Sequence, residues 1–259
     1  MNIYYSAISV EFYNLPKINL LYAFNNKVKR IEKPLWCKKL FIDSGGYVAW
    51  KSGKKIDLDK YHDFIYLNKD IIEVYAALDE VEDYKKSMDL YNESLSCGFN
   101  PIPIYHEEDP EFVLKDYMNK SDYIGFAAIN KLSRNKKKRF LNNCFDIITD
   151  DYKVHGFGFM DTDIITSYPF YSVDGTYPFR LARFGGILTP FGSYKFNKEE
   201  MDRWYKGLLK IKMDKYIKGK FDIELLKSYE KSGMIERLKA NIYFFENLEP
   251  KENKQGELF

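Results

Sequence analysis

The chain has 259 residues, 45% of them hydrophobic and 30% charged, and a formal net charge of +2. That apolar content excludes disorder over most of its length, and no apolar run nears the ~18 residues of a membrane-spanning helix. Cys37, Cys97 and Cys144 stand far apart without a CxxC pair, which argues against a disulfide framework or a structural zinc site and for a reducing, cytoplasmic setting.

The opening MNIYYSAISVEFYNLP lacks a basic segment followed by an apolar core, so it reads as a first strand rather than a signal peptide. Eight strands are expected in chain order: Ile3–Ile8, Leu40–Ile42, Val74–Leu78, Ile102–Tyr105, Tyr123–Ala128, Val154–Phe157, Phe170–Val173 and Phe184–Leu188. Helical spacing lies between them. Leu58–Asn68 places Tyr61, Phe64 and Ile65 on one face behind an Asp57 cap, and Tyr84–Cys97 stops at Gly98. Pro110–Met118 and Asn135–Ile148 complete the pattern. Strands alternating with helices imply βαβ units and a parallel sheet. Eight strands without a mid-chain linker imply a closed (β/α)8 TIM-type barrel over residues 1–192. Phe196–Lys215 and Ile223–Leu238 are expected as extra C-terminal helices within 193–248, and 249–259 as a flexible tail.

In such barrels chemistry sits at the C-terminal ends of the strands. Here Leu40–Ile42 runs into Asp43-Ser44-Gly45-Gly46, Val74–Leu78 into Asp79, Ile102–Tyr105 into His106, and Phe170–Val173 into Asp174-Gly175-Thr176. His155 and Gly156 lie on the sixth segment, Val154–Phe157. A lone Asp at a strand–helix junction usually caps the helix, but three acids and one or two histidines at successive strand ends point to one shared mouth. Carboxylates so placed suit glycosyl transfer. One attacks an anomeric carbon, a second shuttles the proton of the departing base, and a third accepts from the N–H edge of a guanine-like base. A metal hydrolase using Asp43, Asp79, His106 and His155 ranks low, because no HxH or HExxH pair is present.

Three segments together resemble the tRNA-guanine transglycosylase superfamily: Phe41-Ile42-Asp43-Ser44-Gly45-Gly46-Tyr47, Val154-His155-Gly156-Phe157-Gly158, and Tyr171-Ser172-Val173-Asp174-Gly175-Thr176. The resemblance implies Asp174 as nucleophile, Asp43 as general acid/base and Asp79 as the acid that recognises the base. It places Ser44, Gly45, Gly46, Tyr47, Gly125, His155 and Gly156 around the base, with His106 as a possible further member. The chain lacks the CxCxxC run of the zinc-binding relatives, and Val48 stands where they carry a glutamine. The likeness is nearer to the compact zinc-free branch, often phage-encoded, that inserts 7-deazaguanine bases into DNA. Gly175 and Tyr177 depart from that branch's nucleophile strand. The implied activity is that of a pentosyltransferase replacing guanine in DNA by a free 7-deazaguanine base such as preQ0, with no metal or cofactor. Transfer to tRNA is the runner-up, and a catalytically retired nucleic-acid-binding barrel is a third reading.

Two stretches concentrate positive charge. Lys131–Arg139 holds six basic residues (Lys131, Arg134, Lys136, Lys137, Lys138 and Arg139) and no acid, and Lys195–Lys220 holds nine basic and four acidic residues with aromatics between them. Both suit phosphate contacts at the barrel mouth, and equally an ordinary solvated face. The last five residues, with Gln255, Leu258 and Phe259, resemble the short peptide by which DNA-processing enzymes dock on the replicative sliding clamp.

Overall fold

The computed structural model describes residues 1–8, 14–127 and 132–249. They form two compact units. The first holds Met1–Tyr4 and Ile18–Gly175, and the second holds the described part of 5–17 together with Thr176–Glu249.

The first unit is built on eight strands: β1 (Asn2–Tyr5), β2 (Ile18–Ala23), β3 (Cys37–Asp43), β4 (Val74–Tyr75), β5 (Ile104–His106), β6 (Tyr123–Ala127), β7 (Lys153–Phe157) and β8 (Ser172–Gly175). They are parallel and ordered β4-β3-β2-β1-β8-β7-β6-β5. The two ends of that row meet through a parallel bridge between Ala76 and Ile102. The bridge rests on Ala77 N–H donating to the Ile102 carbonyl (2.8 Å) and Ile102 N–H donating to the Tyr75 carbonyl (2.9 Å). Each strand therefore neighbours its sequence neighbours around the ring, which is the arrangement of a (β/α)8 TIM-type barrel. Tyr4, Leu21, Phe41, Ile102 and Ile104 pack its interior.

Helices follow most strands: α1 (Gly46–Lys51) and α2 (Leu58–Asn68) after β3, α3 (Tyr84–Ser96) after β4, α4 (Glu111–Met118) after β5, α5 (Arg134–Phe145) after β6 and α6 (Thr162–Ser167) after β7. Their starts are fixed by short polar side chains accepting from the first-turn amides: Asp57 from Lys60, Asp83 from Lys86, Ser133 from Lys136, and Asp161 from Asp163 and Ile164. Such caps satisfy backbone donors that the helix itself leaves unpaired.

The second unit contains α7 (Tyr177–Arg183), the antiparallel pair β9 (Gly186–Thr189) and β10 (Gly192–Lys195), and helices α8 (Lys198–Trp204), α9 (Gly207–Ile217), α10 (Ile223–Lys227) and α11 (Lys231–Glu246). Ile187, Phe196, Trp204, Met213, Ile217 and Leu226 form its core. Asn241 of α11 is fully buried and bonds the Leu188 amide and the Pro178 and Gly186 carbonyls.

Two strand expectations change. Phe184–Leu188 was expected as the eighth barrel strand, yet this region forms β9 and pairs only with β10. The barrel strand supplying the count is β2, INLLYA, which the sequence reading passed over. Its first four residues are all buried, and among them Asn19 is polar, its Nδ2 donating to the Ile3 carbonyl (3.2 Å), so the strand is covered on both faces without the alternation that marks a half-exposed one. The expected helix Phe196–Lys215 is two helices, α8 and α9, separated where Gly207 takes φ +58°. Ile223–Leu238 is likewise split into α10 and the start of α11.

Candidate active site

A cavity of about 160 Å³ opens at the C-terminal ends of the barrel strands, lined by Asp43, Tyr47, Asp79, Val81, Ile104, His106, Ala127, Phe157, Gly158 and Asp174. A cavity of ~150 Å³ is enough to take up a benzene ring, so this one is on the scale of a small planar ring system.

The three acids at strand ends do not cap helices. The N-caps of α1 and α7 are Gly45 and Thr176, neither with a side-chain cap bond, and α3 is capped by Asp83 rather than Asp79. Asp43, Asp79 and Asp174 are therefore released to face the cavity. Crowding three carboxylates is costly, and Asp43 carries the cost. Its pKa is pushed up to about 7, first by loss of solvation and then by the charges of Asp79 and Asp174, against the backbone N–H groups of Gly45 and Ser44 that favour the carboxylate. A carboxyl poised near neutrality both gives and takes a proton at working pH.

Asp79 is buried and held at both oxygens. Ser44 Oγ donates to Oδ1 (3.2 Å) and His106 Nε2 lies 2.9 Å from Oδ2. Burial alone would depress the His106 pKa, but the hydrogen bond and charge of Asp79, with help from Asp109 and Glu107, outweigh it and raise the value. The His106 amide also donates to Asp109 Oδ2 (2.9 Å), which fixes the turn that carries the ring. Gly46 sits against this pair, since a Cβ there would lie 2.8 Å from both the carbonyl and Oδ1 of Asp79. Gly45 adopts φ +78° beneath the Phe24 carbonyl, 2.3 Å from where a Cβ would be. The Ser44-Gly45-Gly46 run thus supports Asp43 and Asp79 from behind, with Tyr47 on the cavity wall.

Asp174 is buried at the end of β8 and accepts from the Gly158 amide at Oδ1 (2.9 Å). His155 lies below the cavity, fully buried among the rings of Phe41 and Phe157, with Nε2 3.5 Å from the same oxygen. That separation is within ionic reach but long for a hydrogen bond, and Nε2 is otherwise without a partner. Burial lowers the His155 pKa, opposed by Asp174.

Gly125 and Gly156 do not line the cavity. A Cβ on Gly125 would fall 2.4 Å from Cε2 of Phe157, so this glycine makes room for the ring that forms the cavity wall. A Cβ on Gly156 would meet Phe170 at 2.9 Å, on the side of β7 away from His155. Phe157, Gly158, Val81, Ile104 and Ala127 were not singled out in the sequence. The signal for Gly158 was present in the HGFG string, where its φ of +70° turns the amide onto Asp174.

Among the basic residues of α5, Arg134 binds Asp161 (2.6 Å) and Lys138 binds Asp163 (2.7 Å), while Lys137 lies 5.8 Å from the Phe159 ring centre. Lys136 and Arg139 are exposed. Lys131, Gln255, Leu258 and Phe259 lie outside the described residues. Among the described residues no group of three or more His, Cys, Asp or Glu side chains is arranged to hold a metal ion, and no helix is long and apolar enough to cross a membrane. The chain matches no protein-family model and no curated protein sequence.

Proposed function

We propose that this barrel is a base-exchange transglycosylase that replaces guanine in DNA by a 7-deazaguanine base through a covalent aspartyl-glycosyl intermediate. The observation that carries the reading is the convergence of three carboxylates on one ring-sized cavity, with Asp43 held near neutrality. Asp174 attacks the anomeric carbon and the departing base takes a proton from Asp43. The incoming base returns that proton as it displaces Asp174. Asp79, fixed by Ser44 and His106, accepts from the N–H edge of the base, while Phe157, Val81 and Ile104 flank its faces and edge. The target nucleotide has to leave the stack to reach such a cavity. The choice of DNA rests on the lack of a CxCxxC run in the sequence and on the likeness of Ser172-Val173-Asp174 to the nucleophile strand of the compact zinc-free branch.

The test is incorporation of radiolabelled guanine into duplex DNA or tRNA, with trapping of an enzyme–nucleic acid adduct on denaturing gels. Label is expected in DNA, and Asp174→Ala is expected to lose both label and adduct, a loss of several orders of magnitude in rate. An adduct that persists in Asp174→Ala removes the nucleophile assignment. Label entering tRNA alone moves the substrate to RNA.

A further inference from the structure

Behind Asp174 a row of polar side chains runs down the barrel interior. His155 Nδ1 is 2.5 Å from Ser172 Oγ, and Ser172 Oγ is 2.6 Å from the Tyr123 hydroxyl. Ser172 and His155 are fully buried and sit opposite each other in the β7–β8 register. The surroundings are aromatic: Tyr4, Phe41 and Phe157 pack on the imidazole, and Tyr171 packs edge-on against Tyr123. A buried row of this kind costs stability unless every donor finds an acceptor.

Two directions of hydrogen bonding can be written. In one, His155 Nδ1–H donates to Ser172, and the bare Nε2 lone pair faces Asp174 Oδ1 at 3.5 Å. Two acceptors would then oppose each other in a buried site. In the other, Tyr123 donates to Ser172, Ser172 donates to Nδ1, and Nε2–H points at Asp174. Only the second gives each proton an acceptor. The tyrosine hydroxyl is suited to head the row, because burial raises its pKa and keeps the proton on it, although the bond to Ser172 works the other way.

We propose that Tyr123, Ser172 and His155 form a one-way hydrogen-bond row that locks His155 as the neutral Nε2–H tautomer and thereby positions the Asp174 carboxylate. His155 then turns its Nε2–H toward the oxygen that accepts from the Gly158 amide, Oδ1, an electrostatic contact at 3.5 Å that adds to that hydrogen bond in orienting the carboxyl. The role in catalysis rests on the base-exchange reading, whereas the tautomer does not. If Asp174 forms a glycosyl ester, these two donors stabilise the carboxylate as the ester bond breaks and the electron pair returns to Oδ1 and its partner oxygen. Ser172 and Tyr123 touch no substrate and are positioning residues.

The test is nitrogen NMR of the imidazoles, which is tractable because the chain has only three histidines. His155 is assigned by its loss in His155→Gln. In the unmodified protein Nε2 is expected to carry the proton and Nδ1 to read as a bare acceptor, unchanged from pH 5.5 to 8.5. Ser172→Ala is expected to shift population toward the Nδ1–H form. Tyr123→Phe, which keeps the ring, shifts it in the same direction by less and serves if Ser172→Ala does not fold. An Nδ1–H tautomer in the unmodified protein, or titration of His155 within that range, overturns the proposal. Where base exchange is established, Ser172→Ala is expected to lower kcat about tenfold, the worth of one hydrogen bond, with KM for the free base unchanged. An unchanged kcat removes the link to Asp174. Absence of exchange in the unmodified protein defeats the functional reading and leaves the NMR result standing.

Discussion

Asp43 is where burial, with the charges of Asp79 and Asp174 added to it, becomes measurable. Its folded-state pKa lies near 7, above the ~3.9 of an exposed aspartate. The folded protein therefore holds a proton that the unfolded chain has released, and stability falls as pH rises from about 4 through 7. Asp43→Asn removes the charge without removing the shape. The melting temperature of this variant, relative to the unmodified protein, is expected to rise steadily from pH 4 to pH 8. A gap that shrinks as pH rises would show that Asp43 is not the strained acid. The three aspartates were legible in the sequence because each ends an apolar run just before glycine or a helix. What separated them from caps was not legible, since it depends on Asp83, Gly45 and Thr176 occupying the cap positions instead. Ser172 was invisible for a related reason: one serine at a strand start has no pattern, and its meaning comes from His155 across the register.

At the scale of elements, β6 and β7 set the cavity wall together. Gly125 of β6 faces Phe157 of β7 two residues beyond its register partner His155. Gly125→Ala forces the Phe157 ring to move, since the new methyl would sit 2.4 Å from it. Overpacking of this kind costs about 1–3 kcal/mol, and the ring has the cavity to move into. The expected outcome is a lower melting temperature together with weaker binding of the free base in calorimetry. Full affinity with lowered stability would place the displaced ring elsewhere. Helices α2, α3, α4 and α5 were legible from their periodicity, with the Asp57 cap and the Gly98 stop marking two of their ends, whereas the six-residue α1 and α6 are too short to show a period. Two strand assignments failed for opposite reasons. β2 was missed because burial on both faces erases alternation, and β9 was taken into the barrel because GILT is as apolar as a barrel strand. Nothing in four residues tells a strand whether its partner will be parallel.

Over the whole molecule the net charge of +2 hides an uneven distribution. On α5 the charges of Arg134 and Lys138 are already matched by Asp161 and Asp163, so they have less left for phosphate. Exposed Lys136 and Arg139 are the better candidates. If they contact DNA, replacing both by glutamine is expected to reduce the slope of log affinity against log salt by about 2, near 0.9 per phosphate contact. The same change at Arg134 and Lys138 is expected to do less. Equal effects, or none, would make the stretch a solvated face.

The ring of strands is not laced evenly. Between β4 and β5 it is held by the Ala76–Ile102 bridge and its two backbone hydrogen bonds, whereas β2 and β3 register over most of their length. Local opening starts where the fewest bonds must break together. Asp79 and His106 stand just beyond that thin closure, while Asp43 ends β3, which registers with β2 over five residue pairs. On the proposed reading, breathing of the barrel would thus part the pair that reads the base before it loosens the strand that carries Asp43. Hydrogen exchange should show it: the Ala77 and Ile102 amides are expected to exchange well ahead of those inside β2 and β3, and to slow when a base is bound. Uniform protection around the ring would erase the distinction.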